Sequence, residues 1–175
     1  MPTTMQTTIT KAELIEMWAC ELGLDRFIRE TKNTDEPVEI LSLIGGENTT
    51  EDLLWLAAKL GRVKQVDKFA RDCALINVEK IKPHCHPEQY DLILNFLNGA
   101  GKVTAISVRK VRIFASTSRD EVAFIAALSI ERAAMVSAGT DNLGWISTWA
   151  SWAATSAISA GSSQEKKLQK THLQT

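Results

Sequence analysis

One pattern recurs along most of this chain: a residue that can cap a helix, then apolar residues spaced three and four apart, then a glycine. Side chains at that spacing lie on one face of an α-helix, and glycine readily adopts the left-handed conformation that ends a helix. The clearest example begins at residues 49–52 (TTED), continues through 53–60 and ends at Gly61. The recurrence predicts an all-α protein.

We expect about eight helices, arranged as an irregular bundle or as a stack of antiparallel helical hairpins. No repeat of fixed length supports a solenoid. The predicted organisation is a disordered tail over 1–9, an N-terminal helical subdomain over 10–98, and an Ala/Ser-rich helical subdomain over 102–175 packed on it. Residues 102–115 also contain enough β-branched residues for a strand. Their apolar positions do not alternate strictly, however, so a helix is favoured.

Six further helices are predicted in detail. A capping box of Thr10 and Glu13 starts the first, which runs to Gly23 as a stop or kink. A short helix follows over 25–32, and another over 38–44. A continuous apolar face predicts one long helix from 63 to 81. Towards the C-terminus, Asp141 or Asn142 begins a long helix to residue 160, and a charged helix begins near residue 162.

Composition excludes several classes of protein. Of the 175 residues, 45% are hydrophobic and 23% are charged, which excludes a disordered or collagen-like chain. The net charge of −1 argues against a protein that coats nucleic acid by bulk positive charge. No apolar run is long enough to cross a membrane, and the first ten residues lack the features of a signal peptide. Three widely spaced cysteines fit reduced thiols, so we expect a cytoplasmic protein.

The motifs of enzymes and metal sites are missing from the sequence. His84, Cys85 and His86 are suitable zinc ligands, but they are adjacent and lack a second ligand pair at the usual spacing. The glycine clusters at 45–46 and 99–101 match no phosphate-binding loop. We therefore predict no metal, no cofactor and no catalytic site.

Charge is divided unevenly between two stretches of the chain. Residues 1–60 hold eleven acidic and five basic residues, and residues 61–119 hold the reverse. The two stretches could face each other or simply be solvated. The alternative is a pair of binding surfaces, with an acidic face for a basic partner and a basic strip able to touch phosphates. The candidate residues are Asp35, Glu36, Glu39, Glu51 and Asp52 on the acidic side, and Lys102, Arg109, Lys110, Arg112 and Arg119 on the basic side. Because the strip has no interleaved aromatic residues for base stacking, nucleic-acid binding is only the alternative function.

Three tryptophans near the C-terminus form a second candidate binding surface. Trp145, Trp149 and Trp152 follow one another at helical spacing, so their rings share one face of a helix. A neighbouring face carries small residues that suit close helix packing. The tryptophans could fill the core, or they could bind a partner, since Trp is enriched in binding hot spots. We predict that at least one of the three rings is partly exposed or is covered only by a partner or a second protomer.

Four segments together resemble a known set of sequences: LIEMWACELGLDRFI, TDEPVEILSLI, TTEDLLWLAAKL and KFARDCALINVEKIKP. They resemble a family of uncharacterised helical proteins, encoded by tailed bacteriophages and prophages, that have an alanine-rich C-terminal half. The resemblance covers residues 11–97, and the C-terminal half departs from the family by carrying Val, Ile, Ser and Trp. The Trp-Ala-Cys and Arg-Asp-Cys-Ala segments also resemble, more distantly, immunity proteins of bacterial toxin systems.

The resemblance implies a phage accessory protein that acts in the cytoplasm of an infected cell by binding a host protein. An inhibitor of a host defence system or of a host enzyme is the function that this class favours. The expected partner is a host protein or complex of unknown identity, and a homo-oligomer remains open. The family provides no catalytic or binding residues that could be assigned to this chain.

Overall fold

The computed structural model describes residues 6–139 and 143–160, and within them the chain is all-α, as predicted. The described residues form two short strands, β1 (Thr8–Ile9) and β2 (Val38–Glu39), and two 3-10 helices, Ile40–Leu43 and Val78–His84. The α-helices are α1 (Lys11–Glu16), α2 (Glu21–Glu30), α3 (Thr50–Lys59), α4 (Val63–Leu75), α5 (Pro87–Leu97), α6 (Ala105–Thr117), α7 (Glu121–Ala138) and α8 (Leu143–Ala160).

The predicted helix starts and stops are confirmed where the signal was strongest. Thr10 and Glu13 form a capping box at α1, and Thr49 and Asp52 form another at α3. Gly61 ends α3 with a positive φ of 76°, a conformation that glycine adopts without steric cost. Residues 102–115, for which a strand was the alternative prediction, belong largely to helix α6, which is capped by the Thr104 hydroxyl. Local capping chemistry therefore set these boundaries.

The N-terminal residues correct the prediction of a disordered tail over 1–9. β1 pairs antiparallel with β2, with Thr8 opposite Glu39 and Ile9 opposite Val38, and Ile9 is fully buried. This pairing also explains why residues 38–44 do not form the predicted helix. Their first two residues are a strand and the next four a 3-10 helix. Residues 1–5 lie outside the described part of the chain.

Two other predicted helices break earlier than expected. The first ends at Glu16 rather than Gly23, and α2 begins at Glu21. The long helix predicted over 63–81 ends at Leu75, and the chain continues as a 3-10 helix after Asn77. Asn77 is buried, and its amide donates a hydrogen bond to the Ala157 carbonyl of α8 at 2.8 Å. A tertiary contact thus accompanies the break in an otherwise helical pattern. The helix predicted from residue 162, and the start predicted at Asp141 or Asn142, lie outside the described residues.

The apolar side chains form two clusters that share α3. The larger cluster combines α3 to α8, including residues from both sides of the predicted boundary at 98–102. The smaller cluster comprises Ile9, Leu14, Phe27, Leu43 and Leu56, all N-terminal to residue 60. Leu54 and Ala58 of α3 face the larger cluster, whereas Leu56 faces the smaller one. Helix α3 therefore lies between the two cores and also packs against α8.

None of the described helices combines the length and the apolar character that a bilayer crossing requires.

Candidate functional site

A groove of about 920 Å³ lies between the smaller apolar cluster and helix α8. Its walls come from the corner between α1 and α2, from the first turns of α3, and from α8. We call it the Trp18 groove. Its lining includes Trp18, Cys20, Leu22, Arg26, Glu51, Asp52, Trp55, Gly144, Trp145, Ser147, Thr148, Ser151 and Thr155.

Trp18 occupies an unusual position at the corner between α1 and α2. Its φ is +64°, and its side chain is 87% exposed. The Trp18 amide donates to the Ile15 carbonyl, and the Ala19 amide donates to the Leu14 carbonyl, both at 3.0 Å. This is the Schellman pattern that ends a helix, with tryptophan at the position where glycine is usual. The left-handed backbone therefore costs stability and at the same time directs a large indole towards solvent.

Other apolar side chains continue this exposed surface. Leu22 of α2 is 68% exposed and Trp145 of α8 is 50% exposed, and both line the groove. Trp55 of α3 is partly buried against the smaller cluster, with the Lys59 ammonium 5.5 Å from its ring centroid. Exposed apolar side chains collected in one concavity are typical of protein-binding surfaces.

An ion pair fixes the wall formed by α2 and α3. Arg26 donates from Nε and Nη2 to the two carboxylate oxygens of Asp52, at 2.7 and 2.8 Å. Asp52 also accepts hydrogen bonds from the backbone and hydroxyl of Thr49 at the start of α3. Gly23 allows the two helices to approach, because a Cβ there would lie 3.0 Å from Asp52 Oδ1. The wall is therefore held in place before any partner binds.

The protonation of Asp52 follows from these contacts. Partial burial acts to raise the pKa of Asp52, but the hydrogen bonds from Arg26 and Thr49 outweigh it and lower the pKa below its ordinary value. The same hydrogen bond raises the pKa of Arg26. Both groups stay charged near neutral pH, so Asp52 is a fixed anion and not a proton acceptor there.

A stripe of small residues on α8 forms the opposite side of the groove. Gly144, Ser147, Thr148, Ser151 and Thr155 follow one another at helical spacing and all line it. Ser147 donates to the Gly144 carbonyl and Thr155 to the Ser151 carbonyl, whereas Thr148 donates to Glu51 of α3 at 2.9 Å. Because these three hydroxyls already have acceptors, an apolar partner could cover them without leaving them unsatisfied.

The three predicted tryptophans separate in the structure. Trp145 lines the groove, and its ring centroid is 5.9 Å from that of Trp149, which packs against the larger core. Trp152 is 43% exposed, but it lies outside the groove, with the Arg132 guanidinium 5.1 Å from its ring centroid. The expectation that at least one ring is exposed is confirmed, and a binding role for these residues stays a prediction.

The predicted basic strip is partly neutralised. Arg109 and Arg112 of α6 donate from Nε to the two oxygens of Glu131, a buried carboxylate on α7, at 2.7 and 2.8 Å. Lys102, Lys110 and Arg119 remain exposed. The exposed face of α6 also carries large apolar residues, namely Ile106, Ile113 and Phe114. The strip is therefore less basic than the sequence suggests.

The predicted acidic residues also fall into two places. Glu51 and Asp52 line the groove, as described above. Asp35 and Glu36 are exposed in the loop before β2, and Glu39 is exposed on β2 itself. The structure thus brings two of the five residues to the groove and leaves three on a separate surface.

His84, Cys85 and His86 connect the second 3-10 helix, which ends at His84, to α5, which begins at Pro87. His84 Nε2 lies 2.9 Å from Asp120 Oδ2. Asp120 caps α7, and hydrogen bonds from the Ala123 amide and then from His84 lower its pKa. Burial raises the pKa of the Cys85 thiol to about 11. Within the described residues, no three His, Cys, Asp or Glu side chains cluster as metal ligands would.

Sequence reasoning missed the α1–α2 half of the groove. Trp18 and Leu22 fit the apolar spacing of a single helix, so their exposure at a corner had no sequence signal. The serines and threonines of α8 did give a sequence signal for a binding surface, because they leave one face of that helix with little charge.

Comparisons with known proteins return no match for this chain. No protein-family model, no curated protein and no solved structure matches it.

Proposed function

We propose that this protein acts by binding another protein through the Trp18 groove, as a non-enzymatic inhibitor. The observation that carries the proposal is the exposure of Trp18, at 87%, on a left-handed backbone in the wall of a groove of about 920 Å³. Backbone strain of this kind concentrates at functional sites. A buried partner contact would recover the free energy that the free protein loses by exposing this indole.

The side chains that line the groove support binding rather than chemistry. Asp52 is held as an anion by Arg26, and Glu51 accepts a hydrogen bond from Thr148. The described residues that line the groove place no histidine beside either carboxylate. The resemblance of residues 11–97 to phage and prophage proteins suggests a host protein in the bacterial cytoplasm as the target, with inhibition as the outcome.

Capture from a bacterial lysate tests this function. Tagged wild-type protein, Trp18→Gly and Phe114→Ala would each be incubated with untreated and with nuclease-treated lysate, and bound proteins identified by mass spectrometry. Phe114 is a matched control, because it is an exposed aromatic residue on α6, outside the groove.

The proposal predicts a protein that is captured by wild type and by Phe114→Ala but not by Trp18→Gly. Capture that is equal for all three proteins, or that disappears after nuclease treatment, would contradict it. The second result would favour the alternative function, nucleic-acid binding.

A further inference from the structure

The α8 side of the Trp18 groove, which we call its floor, has the length of a short helix. From Gly144 to Thr155 it comprises twelve residues of α8, and the eleven steps between them cover about 16 Å at the rise of an α-helix. Its small side chains allow another helix to approach closely, since the distance between two packed helices depends on the side chains between them. Three turns of a partner helix would fit along this floor.

The hydrogen bonding of the floor favours a helix over an extended peptide. An extended chain needs partners for its backbone amides and carbonyls, whereas a helix pairs its own. Ser147, Thr148 and Thr155 already donate to acceptors within the protein. Among the residues that the structure describes, no strand lines the groove, so they offer no sheet edge there.

The charges around the groove are predominantly acidic. Of the lining residues, Asp52 is neutralised by Arg26, which leaves the charge of Glu51. Glu16, Glu21 and Asp25 are exposed on α1 and α2, the two helices whose corner lines the groove, and no ion pair involves them within the described residues. Lys59, beside Trp55, is the cation on the α3 side.

We infer that the occupant of the Trp18 groove is an amphipathic helix of the partner, with an apolar stripe flanked by Lys and Arg. This inference rests on the proposed function. The apolar stripe would lie on the small residues of α8 between Trp18, Leu22 and Trp145. The basic flanks would face Glu51 and the exposed acids of α2, and a guanidinium or ammonium group could stack on the indole of Trp18.

A displayed library of helical peptides tests the occupant. The peptides would be 18 residues long, with apolar residues at helical spacing and with flanking positions randomised among Lys, Arg, Glu, Asp, Gln and Ser. Selection would use the full-length protein. Synthetic peptides of the selected sequences would then be titrated against wild type, Trp18→Gly, Glu51→Gln and Phe114→Ala, at low and high salt.

The expected peptides carry a net positive charge at their flanks. Their binding weakens about 30-fold or more in Trp18→Gly, the scale of a hot-spot residue. It weakens about two- to fivefold in Glu51→Gln, which keeps an oxygen for Thr148 but removes the charge. High salt reduces the Glu51 effect, and Phe114→Ala binds like wild type.

Three results would overturn the inference. The first is the selection of peptides with neutral or acidic flanks. The second is a failure to select any peptide whose binding depends on Trp18. The third is a Trp18-dependent oligomer in sedimentation, which would identify a second copy of the chain as the occupant. If lysate capture depends on Trp18 although no basic helix binds, the groove function stands and only the occupant is wrong. If Trp18→Gly changes neither experiment, both proposals fail.

Discussion

Arg26 and Asp52 form a two-pronged ion pair that joins α2 to α3, with donor–acceptor distances of 2.7 and 2.8 Å. Because Asp52 is also the third residue of the α3 capping box, one carboxylate orients a helix start and fixes the groove wall. Because both side chains are largely buried, this pair stabilises the fold more than a solvent-exposed ion pair would.

The charge of Asp52 makes the stability of the protein pH-dependent. Its pKa is lower in the folded state than in the unfolded chain, so its contribution is complete above the unfolded value, about 4, and is lost as the pH falls through the folded value. We expect the free energy of unfolding of Asp52→Asn to be about 1–2 kcal/mol lower than that of wild type at pH 7. Denaturant titrations at decreasing pH should show this difference shrinking. A difference that is constant from pH 7 to pH 3 would contradict the assignment.

Replacing Trp18 by glycine should stabilise the fold. Glycine adopts a φ of +64° without the steric cost of a side chain, and little packing is lost because the indole is 87% exposed. We expect the free energy of unfolding to increase by about 1 kcal/mol. Trp18→Ala is the control, since alanine keeps the strain and should remain close to wild type. A destabilised Trp18→Gly protein would show that the indole packs on the fold.

Glu131 should be far more important for stability than an exposed acid. It is 3% exposed and accepts hydrogen bonds from Arg109 and Arg112. Glu131→Gln leaves two guanidinium groups without a counter-charge. We expect the free energy of unfolding to fall by about 2–4 kcal/mol, with the partial exposure of Arg109 limiting the loss. Glu36→Gln, in an exposed loop, should change stability by less than about 0.5 kcal/mol. Equal effects in chemical denaturation would contradict this ranking.

The three cysteines should react at very different rates in the native protein. Burial raises the pKa of Cys73 to about 12 and that of Cys85 to about 11, so few thiolates form at pH 8. Cys20 is exposed in the groove. Mass spectrometry after brief iodoacetamide treatment should find one modified site, Cys20, and three after denaturation. Rapid native labelling of Cys73 would show that the larger core opens.

The sequence predicts the helices that local chemistry determines. The Thr10 capping box, the helix start at residues 49–52, the stop at Gly61 and the helical assignment of α6 all follow from capping and spacing. The break at Asn77 and the strand at Thr8–Ile9 could not be predicted in this way. Each is accompanied by a contact with a distant segment, namely the Ala157 carbonyl and Val38–Glu39.

The groove was only half predictable for the same reason. Trp145, Glu51 and Asp52 were candidate residues, but nothing in the sequence placed them opposite Trp18. Glu131 shows the reverse case, because it neutralises Arg109 and Arg112, which look like a free basic strip in the sequence. Pairing between distant helices decides which charged residues remain available to a partner.

The affinity of Trp18→Gly for the captured partner tests the central claim most directly. The partner would be purified, and its dissociation constant measured by calorimetry for wild type, Trp18→Gly and Phe114→Ala, with the melting temperature of each protein measured alongside. We predict that Trp18→Gly binds about 30-fold or more weakly while melting at or above the wild-type temperature, with Phe114→Ala unchanged in affinity. Wild-type affinity in Trp18→Gly would contradict the assignment of the groove as the binding site.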